Sequence, residues 1–215
     1  MRTSTRARSD DQKHERHAAI LSAAREMIEE LGFEGVKMSA LANRAGLAKG
    51  TLYLYVRSKE ELFLHLFLEA FEALVMRFER EAHADMSAEA LAEYLTALTV
   101  ETPLFLPLYA RLIAVIEANV ADEPLFDAKR NLIAKFERFK THFGAILGLD
   151  VMQTELVAGT MMNTLLGTAQ FDLTAGRDPA GLPEDMREAF ANNAFERNFP
   201  PAAAFILTAA KALAD

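Results

Sequence analysis

The sequence contains no cysteine, which excludes disulfide bridges and metal sites built on thiolate ligands. It has no apolar run near the roughly 20 residues that a membrane-spanning helix needs. The first residues, MRTSTRARSDDQKHERH, lack the apolar core of a signal peptide. The chain has 215 residues, 51% of them hydrophobic, and so can bury a sizeable core. We therefore expect a soluble, cytoplasmic protein without a membrane partner, made of one large domain or two small ones.

Catalytic and metal-binding motifs are missing as well. The sequence contains no nucleophile elbow, no Walker loop and no dinucleotide-binding fingerprint. Its five histidines are scattered, and the two that share a helix face, His14 and His17, lie among charged residues. We expect this pair to be solvated rather than to bind a metal ion. The sequence therefore predicts no enzymatic activity, no cofactor and no metal site.

Charge is distributed unevenly along the chain. Residues 1–59 hold eleven Lys and Arg against seven Asp and Glu, a net charge of +4, whereas residues 60–215 have a net charge of −12. Residues 35–59 contain five basic residues and no acidic one. The ordinary explanation is a solvated charged surface, and the functional alternative is a basic segment that binds a polyanion. Charge alone does not choose between the two.

Apolar residues recur at spacings of three and four along the whole chain, which predicts an all-α fold. The helix that begins at Lys59 is apolar almost all round, so we expect it to be central and packed on several sides. Gly and Pro residues predict a loop over 174–185. Helices are predicted at about 14–31, around 38–45, at 48–55, from Lys59 to about Phe78, from Ser87 to Val100, at 108–121, from Pro124 to near Gly148, at 151–173, and from Pro200 to about 214.

Two short helices joined at Gly46, with a third helix crossing them, predict a helix-turn-helix. The second helix of such a pair lies in the major groove of DNA and presents its N-terminal residues to base edges. Its sequence, LAKGT, suits that role, because small residues allow close approach and Lys49 supplies a long donor. Tyr53 and Tyr55 are placed to donate hydrogen bonds to phosphates, and Lys59 lies at a helix N-terminus that favours a phosphate.

The segment AGLAKGTLYLYVRSKEEL, residues 45–62, closely resembles the signature of the TetR family of bacterial transcriptional regulators, whose usual form is A-G-V-S-x-G-x-L-Y-x-[YH]-F-x-[SN]-K-x-x-L. GFEG at 32–35 and LANRAG at 41–46 extend the match. The resemblance implies a DNA-binding domain over residues 14–74, with the helix-turn-helix at 37–56. Residues 1–13 would then form a flexible arm, and residues 75–215 a helical domain for effector binding and dimerisation.

Some positions depart from the family pattern. Position 37, usually Ser or Thr, is Lys37, and position 48, usually Ser or Thr, is Ala48; each lost helix cap costs about 1 kcal/mol of local stability. Val56 replaces the usual Phe, and Ser39 offers a hydroxyl near the lost cap. Arg44 is either a solvated helix residue or a DNA contact. The predicted DNA-binding residues are Lys37, Ser39, Arg44, Ala48, Lys49, Gly50, Thr51, Tyr53, Tyr55 and Lys59.

The C-terminal domain carries two further features. Gly159 and Gly167 leave a groove of small residues on the 151–173 helix, and the resemblance implies a dimer interface there and on the last helix, which includes Phe205. The alternative for the groove is packing within one chain. Aromatic and methionine side chains exceed what a plain bundle needs, and the resemblance implies an effector pocket among them rather than only core. The predicted pocket residues are Leu74, Phe105, Tyr109, Phe139, Met162 and Asn163.

The resemblance thus implies a homodimeric repressor that a small, mainly hydrophobic effector releases from a palindromic double-stranded DNA operator. A first alternative is a helical carrier or enzyme whose basic segment binds another anion. A second is a regulator of the same family without a small-molecule effector.

Overall fold

The computed structural model describes residues 3–172 and 178–214, and within these ranges it consists of helices and connecting segments without a strand. This confirms the predicted all-α fold. We call α1–α3 the head and α5–α10 the body, and α4 is shared by both. The helices are α1 (Thr3–Gly35), α2 (Met38–Arg44), α3 (Lys49–Leu52), α4 (Lys59–Glu81), α5 (Ala88–Glu101), α6 (Phe105–Arg111), α7 (Asp122–Leu147), α8 (Val151–Phe171), α9 (Glu184–Asn192) and α10 (Phe195–Ala214).

Helix α1 is longer than its sequence pattern predicts. It begins at Thr3 rather than near residue 14, so the segment predicted as an arm is helical from Thr3 onward, and its flexibility stays a prediction. Residues 3–13 contain neither Pro nor Gly, and nothing in them opposes a helix. Near the other end Gly32 has φ 70° and ψ 173°, a conformation open essentially to glycine alone. The straight part of α1 therefore ends where the sequence predicts it.

The head is a helix-turn-helix held by a small apolar core. Gly46 has φ 67° and turns the chain between α2 and α3, as its position in the sequence predicts. Neither Lys37 nor Ala48 caps the helix that follows it with a side-chain hydrogen bond, in line with the departures from the family pattern. The core residues of the head that are at most 1% exposed are Ile20, Leu21, Ala24, Leu41, Ala42, Leu52 and Val56.

Helix α1 docks on α4 partly through two imidazole rings. The ring centroids of His17 and His65 lie 4.9 Å apart, with the planes nearly perpendicular. Burial and, to a lesser extent, the neighbouring His17 together lower the pKa of His65 to about 4. Burial also lowers the pKa of His17. Both rings are therefore neutral at pH 7, and His17 is a packing residue rather than the solvated group that its charged neighbours suggest.

Helix α4 is central and buried on several sides, as its sequence predicts. Near its start the Phe63 ring meets Phe33 of α1 edge-on at 5.4 Å between centroids. Near its end Phe78 packs on Phe139 of α7 at 4.6 Å. Because one helix contributes to both regions, the head and the body share a single hydrophobic core.

The body is a bundle in which α10 packs against α5 and α8, while α7 packs against α4 and α8. Its helix ends follow local signals: Ser87 caps α5, Gly148 ends α7 in a left-handed conformation, and Asp150 forms a capping box with Gln153 at the start of α8. A stack of aromatic rings fills the space between α4 and α6, with neighbouring centroids 5.6–6.0 Å apart; its members are Phe67, Phe71, Phe105 and Tyr109.

The region predicted as one helix over 108–121 is broken instead. Helix α6 begins at Phe105, after Leu104 in a left-handed conformation with φ 62°. It ends at Arg111, and a π-helical turn over Leu112–Ile116 and a 3₁₀ turn over Glu117–Asn119 follow. A branched residue with positive φ costs about 1–2 kcal/mol, and π-helical turns are rare outside functional sites. Packing against α4 and α8 holds these unfavourable conformations.

Helix α10 begins at Phe195, before the predicted start at Pro200–Pro201, so that prediction is wrong by more than one turn. Phe195 and Phe199 are buried with their rings stacked 4.9 Å apart, and this burial extends the helix upstream of both prolines. The loop predicted over 174–185 falls only partly within the described residues: 174–177 lie outside them, and the rest includes a 3₁₀ turn at Pro179–Gly181 and the start of α9.

Within the described ranges, no helix by itself has the length and apolar character to cross a membrane. Only α5 together with Phe105–Asn119 passes that test on length and composition, and this pair is bent by 86°.

Candidate nucleic-acid interface

The outer face of the helix-turn-helix is formed by α3 and the residues that follow it. Leu52 and Val56 are 0% exposed and fix the inner face of this segment. Lys49 and Gly50 are exposed on the other side. Helical spacing places residues 53 and 54 one turn beyond them, on the same outward face.

Gly50 has no structural role in the chain itself. A Cβ atom built at this position meets no atom within 4 Å, and the backbone does not have a positive φ. In a helix interior glycine destabilises by roughly 0.5–1 kcal/mol relative to alanine. The fold therefore does not require the small residue at this position, which leaves room for another molecule to approach the α3 backbone closely.

The predicted basic contacts fall into two groups. Lys37 and Lys49 are exposed, and no carboxylate of the described ranges forms an ion pair with either. Arg44 instead donates to Glu30 at 2.6 Å, and this hydrogen bond lowers the pKa of the Glu30 carboxyl. The Lys59 Nζ atom lies 3.6 Å from the Glu34 Oε2 atom. Lys37 and Lys49 are thus free to bind a polyanion. To bind a phosphate, Arg44 and Lys59 must first give up their carboxylate partners.

The remaining predicted contacts differ in exposure. Ala48 and Ser39 are exposed, and Tyr53 is 40% exposed on the outward face. Thr51 is half-buried, and half-buried Tyr55 packs against the head core. Tyr55 therefore covers the core at the same time as it borders the surface.

A cavity of about 1160 Å³ lies between the head and the body. The end of α1 lines it with Leu31 and Phe33, and α6 lines it with Leu106 and Ala110. The end of α8 and Phe195 at the start of α10 close the other sides. Its volume reaches the upper range of small-molecule pockets in proteins.

A few polar side chains border this cavity. The Arg111 guanidinium lies 4.6 Å from the centre of the Phe33 ring and donates to the carbonyl of Pro107 at 2.9 Å. Gln170 donates to the carbonyl of Ala110 at 3.3 Å. The acidic side chains that line the cavity, three in number against one arginine, are Glu34, Asp172 and Glu196.

None of the six predicted pocket residues lines this cavity. Leu74, Phe105 and Phe139 are at most 4% exposed and belong to the packed core. The Tyr109 hydroxyl donates to the carbonyl of half-buried Met162 at 3.2 Å, which ties α6 to α8. Asn163 is exposed. The predicted pocket residues therefore do not line this cavity: stacked rings fill the space beside α4, and the cavity lies at the far side of α6.

Family models match both parts of the chain. The model described as bacterial regulatory proteins of the tetR family matches residues 20–66, and the tetracyclin repressor-like C-terminal domain matches residues 68–175, half of the chain. The chain belongs to the TetR family. It is a transcriptional regulator with a DNA-binding helix-turn-helix, and neither family model describes an enzyme.

Curated relatives of this TetR-family protein match it over less than half of its length. The fatty acid metabolism regulator protein of Bacillus subtilis is 35% identical over 89 residues, which cover 41% of this chain and 44% of the relative. The transcriptional repressor KstR of Mycolicibacterium smegmatis is 38% identical over 72 residues, or 34% of this chain and 35% of the relative. The alignments thus span less than half of these relatives.

Solved structures share the fold over nearly the whole chain. The TetR regulator SCO7222 from Streptomyces coelicolor has a TM-score of 0.57 and 20% identity, over 92% of this chain and 98% of its own. The fatty acid degradation regulator FadR from Bacillus halodurans has a TM-score of 0.55 and 18% identity, over 89% and 94%. At such identity the likeness shows the fold alone.

In this TetR-family protein the outer faces of α8 and α10 are apolar and uncovered. The two helices run antiparallel, and the Gln153 side chain near the start of α8 donates to the carbonyl of Leu213 at the end of α10 at 3.0 Å. A Cβ atom at Gly159 or Gly167 meets nothing within 4 Å, so these glycines are not needed for packing within one chain. The large apolar side chains left 65–82% exposed on the two helices are Val151, Met152, Leu156, Phe171 and Phe205.

The sequence-based prediction does not include Leu54, which is 80% exposed on the outward face formed by α3 and the residues that follow it. The predicted contacts are donors or small residues, and Leu54 is neither. The signal was present in the helical spacing, since Leu54 lies four residues after Gly50.

Proposed function

We propose that this TetR-family regulator is a homodimeric repressor that binds a palindromic operator through two heads and is released by a small, mainly hydrophobic effector. The observation that supports sequence-specific DNA binding is the outward face of α3, where exposed Lys49 lies beside a glycine that the fold does not require. Two copies related by a two-fold axis would place their recognition helices in major grooves about 34–36 Å apart.

The head's side chains divide into base and phosphate contacts by position. Lys49 begins α3, and N-terminal residues of a recognition helix face base edges, so Lys49 is assigned to a base. Tyr53 and Lys59 flank that helix and are assigned to phosphates. Lys59 lies at the N-terminus of the 23-residue α4, where free backbone N–H groups add to its charge.

Substitution of the two lysines tests this division. Lys59→Ala is expected to weaken binding about equally for all operator variants and to reduce the salt slope by about one unit. Lys49→Ala is expected to relax the preference at one base position in each half-site, by about 1–3 kcal/mol of discrimination. Both are measured by binding titrations over a range of salt and by selection from random duplexes.

The control for these variants is Arg130→Ala, which removes an exposed body cation that pairs only with Asp127 on its own helix. It should change neither affinity nor salt slope. An unchanged preferred sequence after selection with Lys49→Ala would contradict the base contact.

The uncovered faces of α8 and α10 support the homodimer. Five large apolar side chains stay more than half exposed there, and contiguous exposed apolar surface is typical of interfaces. Two antiparallel helices from each subunit can pack these faces into a four-helix bundle. The small Gly159 and Gly167 would let the helices of two subunits approach closely.

The cavity between head and body supports the effector. Its walls are mainly apolar, which favours a mainly hydrophobic ligand, and acidic side chains outnumber the one arginine around it. We therefore propose a neutral or cationic ligand rather than an anion. This site replaces the one predicted beside α4, which the aromatic stack fills.

Helix α6 offers a route from this ligand to the head. It lies between Leu104, with its positive φ, and the π-helical turn, so unfavourable conformations flank it on both sides. Its last residue, Arg111, stacks on Phe33 of α1. A ligand that contacts α6 more favourably in a shifted position would carry α1 with it, and only such a difference in affinity can change DNA binding.

Filling the cavity tests the effector proposal. Ala110→Trp places a large ring into the cavity, so we expect hydrophobic compounds that stabilise the wild type to lose their effect on the variant. At a concentration of 100 times Kd a ligand stabilises its protein by about 2.7 kcal/mol, which a melting curve detects. A panel of neutral and cationic aromatic and alkyl compounds is tested for melting temperature and for release of DNA.

Ala134→Trp on the exposed surface of α7 is the matched control and should respond like the wild type. If no compound of the panel stabilises the wild type or releases DNA, the regulator without a small-molecule effector replaces this proposal.

A further inference from the structure

Leu54 is the most exposed large apolar side chain among the described residues of the head. Its 80% exposure compares with 56% for Leu31 and 40% for Tyr53. It has no polar atom with which to bind a phosphate, and burying it would be favourable by roughly 1.5–3 kcal/mol. Its position therefore suits an apolar partner that arrives from outside the chain.

The local backbone holds Leu54 outward. The Leu54 N–H donates to the carbonyl of Thr51 at 3.1 Å, and the Tyr55 N–H donates to that of Leu52 at 2.9 Å. Leu52 and Val56 anchor the segment in the head core, both 0% exposed. Because Leu52 and Val56, two residues before and two residues after Leu54, are held on the inner side, Leu54 projects from the same face as Gly50.

Three kinds of groups follow one another on this face. Lys49 is a donor, Gly50 leaves room for close approach, and Leu54 is purely apolar. In the major groove the thymine C5-methyl is the apolar group that a base pair presents, and aliphatic side chains contact it. A donor and an aliphatic group five residues apart can therefore read two different bases.

We infer that Leu54 is a specificity-determining residue that packs against the C5-methyl group of one thymine in each half-site. This inference rests on the proposed DNA binding and assigns a chemical group to a side chain that lies outside the polar contacts. Thymine at that position differs from uracil only by the methyl group. Burying one methyl group is worth about fourfold in affinity, or about fifteenfold when both half-sites contribute.

Deoxyuridine substitution tests the contact. The full-length wild-type protein first selects its preferred duplex from a random library, and each thymine of that duplex is then replaced by deoxyuridine in turn. We expect one thymine per half-site at which the replacement weakens wild-type binding about fourfold. Leu54→Ala should bind the thymine and uracil duplexes equally at that position, and Leu54→Met should restore the difference, because it restores an apolar contact.

Ile133→Ala is the control, since Ile133 is 58% exposed on α7, far along the chain from α3, and its removal should leave the uracil effect unchanged. Because Leu54 is exposed, Leu54→Ala should melt at the temperature of the wild type. If each deoxyuridine replacement weakens binding by the same factor in the wild type and in Leu54→Ala, the inference is overturned, whereas the proposed DNA binding stands. A wild-type protein that selects no duplex at all overturns the proposed function, and the inference with it.

Discussion

Gly50→Leu is expected to abolish operator binding while leaving the protein as stable as before. The new side chain meets no atom of the chain, because even a Cβ at this position has nothing within 4 Å. Replacing a helical glycine should stabilise the helix by roughly 0.5–1 kcal/mol, so the melting temperature should hold or rise by about 2 °C. On the outward face, however, the leucine keeps the backbone of α3 from the groove. We expect affinity to fall about 100-fold or more, which is about 3 kcal/mol.

The measurements are thermal unfolding and titration of the selected duplex with the same preparation. Gly181→Leu is the matched control, since Gly181 also has open space around its Cβ position but lies in the 3₁₀ turn before α9, outside the head. It should bind DNA like the wild type. Normal binding by Gly50→Leu would mean that α3 does not enter a groove.

Phe205→Glu is expected to split the proposed dimer. Phe205 is 77% exposed on α10, so the subunit itself should tolerate the change. In the dimer the substitution removes an apolar contact of roughly 1.5–3 kcal/mol and places an unpaired carboxylate between two apolar faces, at several kcal/mol more. We expect the dissociation constant to rise about a thousandfold, which corresponds to about 4 kcal/mol. Sedimentation equilibrium measures it, and operator affinity should fall in parallel because two heads no longer bind together.

Phe126→Glu provides the control for charge and exposure, because Phe126 is 54% exposed on α7 rather than on α8 or α10. In sedimentation, the molar mass of the Phe126→Glu assembly should match that of the wild type at every concentration. Should Phe205→Glu remain dimeric at high dilution, the interface lies on another surface.

The head could be predicted closely because its signals are local. Gly46 at a turn, Ser58 at the start of α4 and the spacing of apolar residues each act within a few residues, and the structure follows them. The start of α10 could not be predicted in this way. Two prolines mark a helix start locally, but the distant burial of Phe195 and Phe199 decides where the helix begins.

The cavity between the head and the body could not be located from composition. A phenylalanine in a packed core and one in a cavity wall have the same sequence signature, and the difference lies in how helices far apart in the chain meet. Phe105 stacks on Phe67 and Phe71, whereas Leu106, its neighbour in sequence, lines the cavity. The break after Arg111 arises similarly from packing against α4 and α8 rather than from a local signal.

In the proposed mechanism α4, which runs from the head into the body through their shared core, acts as a lever between them. Its 23 residues span about 35 Å, so a tilt of about 5° about its body end moves its head end by about 3 Å. In a symmetric dimer both heads move, and their separation changes by about 6 Å, nearly twice the 3.4 Å rise of one base pair. A tilt of α4 by a few degrees about its body end is therefore enough to take the second head out of register with the operator once the first head is bound.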